Sequence, residues 1–250
     1  GNTQMMDWLQ DAGCPFGQEV WETAVKHNRL DTFQWLLAHK RKIVDNNVIV
    51  TCAIRHNCFE LLKWAVSNDY LRVTNGSPTA AAGAGNLKIL KWLLTGPLNS
   101  QGGRPNEYDC WVAAAFNGHL EILQYLHSSD NWFRQYNPSN TVCSSIWLAA
   151  ARGKYSSKHI LQWACENDCP LPHIRDQSEI CDLLAHQGNL AILKELHAKG
   201  CDWSENTTTQ AAIGGHIELL QWAIDQGCPM DPRSCIAVAA RAGRVNIVKH

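Results

Sequence analysis

The sequence predicts an all-α fold, an elongated solenoid of about nine helix-turn-helix units in which the first and last units are partial. Three observations predict it: one segment recurs along the whole chain, two small residues precede a Gly in most copies, and an apolar stripe follows that Gly. In such an array each unit contacts mainly its neighbours, so residues 1–250 are expected to form one domain. Because the chain starts and stops inside copies of the segment, we interpret it as part of a longer protein.

The recurring segment is clearest in GHIELLQWAIDQGCP, residues 215–229, and its Trp222 serves as a marker for the other copies. The equivalent residues follow at intervals of about 28, with wider spacing in the middle of the chain: Trp8, Trp35, Trp64, Trp92, Tyr125, Trp163, Glu195 and His250. A catalytic motif is normally used once, so this repetition indicates architecture. The Trp row could offer a stacking platform for bases or sugars, but its place beside the apolar stripe favours packing between units.

The first helix of each unit is predicted to end at a turn residue, which is a Gly or an Asn in its place. These turn residues are Asn28, Asn57, Gly85, Gly118, Gly153, Gly188, Gly215 and Gly243. Three and four residues earlier stand small residues such as Ala114 and Ala115, or Ala149 and Ala150, which let neighbouring helices approach closely. The residues predicted to cap the N-termini of first helices are Asp109, Ser144, Ser178, Asn206 and Ser234.

The second helix of each unit is predicted to be amphipathic. Leu120, Ile122, Leu123 and Leu126 show the spacing that places apolar side chains on one face of a helix. The sequence Gly-Cys-Pro then ends the helix, because Gly accepts a left-handed conformation and Pro cannot continue a helix. Each unit is therefore a helical hairpin.

Helix, Gly-His turn, helix and then Gly-Cys-Pro or Gly-Cys-Asp together resemble the ankyrin repeat, most closely at residues 80–94, 114–130 and 211–229. The units are shorter than the roughly 33-residue ankyrin unit and lack its Thr-Pro-Leu-His opening. They are similar to the divergent arrays of protists and large DNA viruses, and their finger-like hairpins are expected to be reduced to turns. The resemblance implies an adaptor or scaffold that binds a protein partner on its concave face.

Composition narrows the classes of function. The net charge is -1, so no broadly basic surface is expected and nucleic acid is predicted to be an unlikely partner. No apolar run is long enough to span a membrane and no secretion signal opens the chain, which predicts an intracellular location, cytoplasmic or nuclear. We expect a monomer.

No catalytic motif is found, so the chain is not expected to be an enzyme, and no cofactor or metal is expected. A zinc site could be built from Cys165, Cys169, His173 and Cys181. However, the chain has no Cys-x-x-Cys pair, and Cys169 already belongs to the Gly-Cys-Pro motif. A zinc or thiol enzyme, an RNA-binding helical array and a purely structural spacer stay open as alternatives to the adaptor.

Two candidate protein-binding surfaces emerge. The first is a loop in the long middle interval, whose aromatic and basic side chains are typical of interaction hot spots, unless they fold back over their own unit. Its residues are Trp132, Phe133, Arg134 and Tyr136. The second is the exposed side of the first helices, with Trp21, Lys26, Arg55, Phe116, Arg152 and Arg241.

Overall fold

A computed structural model describes residues 2–39, 43, 45–96, 106–128, 141–153, 158–167, 169–171, 174–244 and 246–247, and the regular secondary structure in these ranges is entirely helical. The helices are α1 (Thr3–Asp11), α2 (Gln18–Lys26), α3 (Leu30–Ala38), α4 (Asn46–Arg55), α5 (Phe59–Ser67), α6 (Ser77–Gly83), α7 (Leu87–Thr95), α8 (Glu107–Asn117), α9 (Leu120–Ser128), α10 (Thr141–Arg152), α11 (Lys158–Glu166), α12 (Ile174–Gln187), α13 (Leu190–Ala198), α14 (Glu205–Gly214), α15 (Ile217–Asp225) and α16 (Pro232–Arg241). The predicted all-α fold of helix-turn-helix repeats is confirmed.

The chain divides into two compact units, residues 1–110 and 111–250. In the first, the first helices α2, α4 and α6 lie side by side, and each packs on the second helix that follows it. In the other, α10, α12, α14 and α16 lie side by side, with hairpins that include α12 with α13 and α14 with α15. No helix in the described part of the chain is long and apolar enough to cross a membrane.

The turns between paired helices have the predicted conformation. Gly215 ends α14 at φ 86°, and its N–H bonds the Ala211 carbonyl. Asn28 and Asn57 take the same left-handed region at φ 52° and 55°, which Asn tolerates better than most residues with a side chain. The turn residue therefore fixes where the chain reverses between the two helices.

The small residues before the turn are buried, as predicted, except for Ala240 in α16. Ala149 is 7% exposed, whereas Ala150 and Ala151 are each 1% exposed. The predicted pair Ala149 and Ala150 is therefore buried, and the buried run of α10 extends one residue further, to Ala151. Arg152 is the first exposed residue after this run.

The N-cap predictions were wrong because each tested first helix begins earlier. Asp109, Ser144 and Ser178 lie inside α8, α10 and α12. The cap of α14 is Ser204, not Asn206, and that of α16 is Asp231, not Ser234.

The Trp row lies mostly at the edge of the core and contacts other rings. The residues in contact are Trp35 with Phe16, Trp64 with Tyr70, Trp92 with Phe59, Trp163 with Trp111, and Trp222 with Trp203, at centroid distances of 5.5, 5.5, 5.8, 6.4 and 5.6 Å. Trp8, which is 66% exposed, is an exception. The linkers 199–204 and 226–231 between hairpins are short and contain no strand.

Candidate binding surface on the first helices

Each first helix carries, directly after the residues that pack between neighbouring first helices, a position that is exposed in most described hairpins and half-buried at Gly83 and Ile213. We call these positions the first-helix row. Its members are Lys26, Arg55, Gly83, Phe116, Arg152, His186, Ile213 and Arg241. Five of the six residues predicted on the exposed side of the first helices, Lys26, Arg55, Phe116, Arg152 and Arg241, belong to the row and are exposed.

Trp21, the sixth predicted residue, does not lie on this surface. Its side chain is 2% exposed, and its ring meets that of Phe33 edge-on with centroids 4.9 Å apart. Trp111 and Trp147 are buried at the equivalent position, five residues before the first-helix row. This shared spacing from the turn, visible for Trp21 and Trp111 in the sequence, was the signal that Trp21 belongs to the core.

The other predicted site, the loop with Trp132, Phe133, Arg134 and Tyr136, lies outside the described residues. Its role stays a prediction.

A groove of about 360 Å³ opens on the first-helix side of α2 and α4. Its lining consists of Glu22, Asn47, Val48, Thr51, Cys52, Arg55 and His56. Val48 is 40% exposed, so it provides an accessible apolar part of the groove wall. The groove thus combines apolar and polar walls with a charged residue from each helix.

Cys52 lies in the wall of this groove, and its thiol contacts the Glu22 carbonyl oxygen at 3.7 Å. Burial raises the pKa of the Cys52 thiol, and the Glu22 carboxylate raises it further, against smaller opposing effects of Lys26 and Arg55. A thiol with a raised pKa stays protonated at neutral pH, whereas the nucleophilic form is the thiolate. Cys52 therefore lacks the properties of an activated nucleophile.

Lys26 and Arg55 flank Cys52, and neither side chain forms a hydrogen bond or ion pair with a described residue. Arg152, at the equivalent position, instead pairs with Glu179, with Nε 2.9 Å from Oε1.

Glu179 lies nine residues before the turn of the next hairpin. The residues at that place in the hairpins after Lys26 and Arg55 are Val48 and Gly76. The chain therefore supplies a carboxylate partner for Arg152 but none at the corresponding place for Lys26 and Arg55.

In the second compact unit, the acidic groups beside the row are used within the chain. Asp182 accepts hydrogen bonds from the Asn206 amide at 2.6 Å and from the Thr207 hydroxyl at 2.7 Å. Thr207 is fully buried, so its hydroxyl depends on this partner. Asp182 and Glu179 thus join neighbouring first helices.

Side chains that follow the turns bond the carbonyl ends of the preceding first helix. His216 Nε2 lies 3.1 Å from the His186 carbonyl oxygen, and Arg244 Nε donates to the Ile213 carbonyl at 3.0 Å. Asn86 donates to the Ile54 carbonyl in the same way. The last carbonyls of a helix have no partner within it, so these contacts satisfy them and connect successive hairpins. The turn histidine His216 therefore has a structural role.

The residues considered for zinc are not brought together in the described part of the chain, where no group of three or more His, Cys, Asp or Glu side chains is arranged to hold a metal ion. His173 lies outside the described residues. Burial raises the pKa of Cys165 to about 12, so it is a protonated thiol at neutral pH. Cys181 lies beside Cys201, with the two sulfur atoms 3.6 Å apart.

No protein-family model matches the chain, and no curated protein matches it. Among solved structures the chain is similar to the pentatricopeptide repeat protein PPR10 in complex with an 18-nucleotide psaJ RNA element, with a TM-score of 0.34, 10% identity and coverage of 99% of this chain and 47% of that one. A triple cysteine-to-serine variant of PPR10 with the same RNA element gives the same values. The chain spans about half the length of the structures it matches.

The matched structures are helical repeat proteins of the pentatricopeptide type, not ankyrin proteins. They also correct one expectation, that nucleic acid is an unlikely partner, because both are complexes with RNA. That expectation was based on the net charge of -1, and a net charge does not report how cations are distributed over the surface. Unpaired cations can still lie together locally, as Lys26 and Arg55 do beside Cys52. The comparisons leave the family of the chain open.

Proposed function

We propose that the chain is a protein-interaction module of the ankyrin-like type, an adaptor or scaffold that binds a segment of a protein partner on the first-helix row and has no catalytic activity of its own. The observation that carries the proposal is the groove on the first-helix side of α2 and α4: Arg55 lines it, Lys26 lies nearby beside Cys52, and neither cation forms an ion pair with a described residue, although Glu22 also lines the groove. The left-handed Gly and Asn turns and the short linkers support the ankyrin-like assignment.

The chemistry of the groove favours a segment that carries a carboxylate next to an apolar side chain. Arg55 in the groove wall and Lys26 beside Cys52 would take the carboxylate, and Val48 with the methyl group of Thr51 would contact the apolar side chain. Exposed ion pairs contribute only about 0.2–1 kcal/mol each, and burial of one aliphatic side chain contributes about 1.5–3 kcal/mol. Such a groove selects a partner, while tight binding requires contacts at further positions of the row or on the loop with Trp132 and Tyr136.

The test is an affinity capture from cell lysate, performed with and without ribonuclease, that compares the parent chain with a Lys26→Gln, Arg55→Gln variant. Arg241→Gln is the matched control, because it removes an exposed cation of the same row from the other compact unit. We expect ribonuclease-resistant capture of a protein by the parent and the control, and a loss of about tenfold with the double variant.

Three other outcomes would contradict this proposal in different ways. Capture that disappears with ribonuclease would assign the surface to RNA. Capture by all three proteins would move the site away from α2 and α4, and a Trp132→Ser, Phe133→Ser, Tyr136→Ser variant would then test the loop. The absence of any capture would favour the structural spacer.

A further inference from the structure

The second compact unit contains two thiols that face each other in its interior. Cys181 lies on α12 and is 1% exposed, and Cys201 lies in the linker between α13 and α14 and is 3% exposed. Their sulfur atoms are 3.6 Å apart, close enough for a thiol hydrogen bond. A disulfide has its sulfur atoms about 2.05 Å apart, so bond formation requires an approach of roughly 1.5 Å, which side-chain rotation and a small linker shift can supply.

A hydrogen bond to the backbone of the linker lies next to the thiol pair. The side-chain oxygen of Gln177, on α12, accepts a hydrogen bond from the Asp202 N–H at 2.9 Å. This contact holds the linker against the helix that carries Cys181. The Cys181 sulfur also lies 3.5 Å from the Asp202 carbonyl oxygen.

The position of Cys181 within the repeat is normally taken by a residue without a thiol. Trp21, Trp111 and Thr208 occupy the equivalent place in other first helices, seven residues before the turn. Thr208 donates its hydroxyl to the Pro229 carbonyl in the linker of its own hairpin. The side chain at this place therefore faces the linker, and in α12 it meets the Cys of the linker motif.

We propose that Cys181 and Cys201 form a reversible disulfide, a modification site that links α12 to the linker before α14. The oxidant is a small disulfide such as oxidised glutathione. The Cys201 thiolate attacks one sulfur of the oxidant, a mixed disulfide forms and the first glutathione leaves as thiolate and takes up a proton. Cys181 then loses its proton and attacks the Cys201 sulfur, the mixed disulfide breaks and the second glutathione leaves. Two protein thiols are oxidised to one disulfide, and the oxidant is reduced to two thiols.

Two features assign the first attack to Cys201. The hydrogen bond from Cys181 lowers the pKa of Cys201, and the same bond raises the pKa of Cys181, so the thiolate forms on Cys201. Cys201 also lies between Gly200 and Asp202, both exposed, so opening of a short linker brings it to solvent without unfolding a helix. A thiolate at an accessible site is the reactive form of Cys.

The experiment treats the chain with oxidised glutathione and follows the intact mass and the thermal midpoint. We expect a loss of the mass of two hydrogen atoms and a rise in midpoint on the order of 5–10 °C, both reversed by dithiothreitol. Cys181→Ser and Cys201→Ser should each abolish both changes. Cys165→Ser, a buried cysteine with charged rather than thiol neighbours, should keep them.

Peptide mapping of the oxidised parent chain makes the test independent of how the variants fold. Trypsin places Cys181 and Cys201 on peptides 176–194 and 200–233, and further cleavage after Trp203 separates Cys201 from Cys228. A cross-link between Cys181 and Cys201 is the expected result. Unchanged thiols, a stable mixed disulfide with glutathione, or a link that involves Cys228 would overturn the assignment.

Discussion

Substitution of Gly188 by Ala tests the contact between the turn of one hairpin and the turn of the next. Gly188 has φ 74°, and a methyl group there would lie 2.5 Å from the Nδ1 and Cε1 atoms of His216. The His216 ring cannot move away freely, because its Nε2 is bonded to the His186 carbonyl oxygen and the ring also packs on Gly214. The substitution therefore combines backbone strain with the loss of a contact between hairpins.

Gly200 allows the two costs to be separated. It has φ 82°, and a methyl group at this position would have no atom within 4 Å. Gly200→Ala should therefore report the left-handed backbone cost alone, about 1–2 kcal/mol of unfolding free energy. Gly188→Ala adds the displacement of His216 and the loss of its hydrogen bond, about 1 kcal/mol, for a total of about 2–3 kcal/mol.

Urea unfolding followed by far-ultraviolet circular dichroism measures these differences. In a His216→Ala background the contact is already absent, so Gly188→Ala should cost no more than Gly200→Ala. Equal costs for Gly188→Ala and Gly200→Ala in the parent background would refute the proposed contact. An undiminished cost of Gly188→Ala in the His216→Ala background would show that the strain arises elsewhere.

Three further predictions concern single side chains. Trp147→Phe should lower the unfolding free energy by about 1–3 kcal/mol, because the indole N–H donates a hydrogen bond to the Pro170 carbonyl at 3.0 Å. Urea titration of this variant, with Trp147→Tyr as a comparison, measures the loss of stability. An unchanged midpoint would contradict the hydrogen bond. Thr208→Val, at a fully buried site, should lower the unfolding free energy by about 1–3 kcal/mol, because it leaves the Pro229 carbonyl of the linker without its donor. Thr209→Val, a part-exposed neighbour, is the control. The pKa of Asp231 is lowered from its ordinary 3.8 chiefly by the Ser234 hydroxyl, so its contribution to stability is present above pH 3.8 and lost as the pH falls below it. The stability difference between the parent and Asp231→Asn should thus shrink in acid, and a pH-independent difference would exclude this linkage.

The parts of the fold that local chemistry determines could be predicted from the sequence. A Gly or Asn that follows two small residues can be recognised as a turn residue without knowledge of the rest of the molecule. Gly215 has the left-handed conformation expected of such a residue. Helix starts were harder, because several capping residues stand close together. Asp231 precedes Pro232, whose fixed φ suits the first helical turn, and this pair begins α16 although Ser234 also qualifies as a cap.

The burial of Ala151 in α10 depends on packing that no local pattern reports. Gly153 looks like the turn residue of its hairpin, yet Ala151, two residues before it, is buried, whereas the other described hairpins have an exposed or half-buried residue at that position. Trp21 looks like a surface aromatic when it is considered alone, and its burial against Phe33 could have been predicted from the distance to the turn that it shares with Trp111. The cations without partners were found because the pairing of Arg152 with Glu179 could be compared with the other hairpins.

Stacking of the hairpins constrains some positions of the repeat and leaves others open, and this division is the strongest reason to place function on the first-helix row. The two positions just before the row are buried in every described hairpin except that of α16, where Ala240 is exposed, and a larger or smaller side chain at a buried position would change the distance between helices. The exposed members of the row include residues as different as Lys26, Phe116 and His186, and substitutions at exposed positions usually change the unfolding free energy by less than about 0.5 kcal/mol. Each hairpin can therefore carry a different residue on the row at little cost to the fold. A partner that contacts several hairpins of one compact unit would recognise their particular series of row residues, so its specificity can change without a change of architecture.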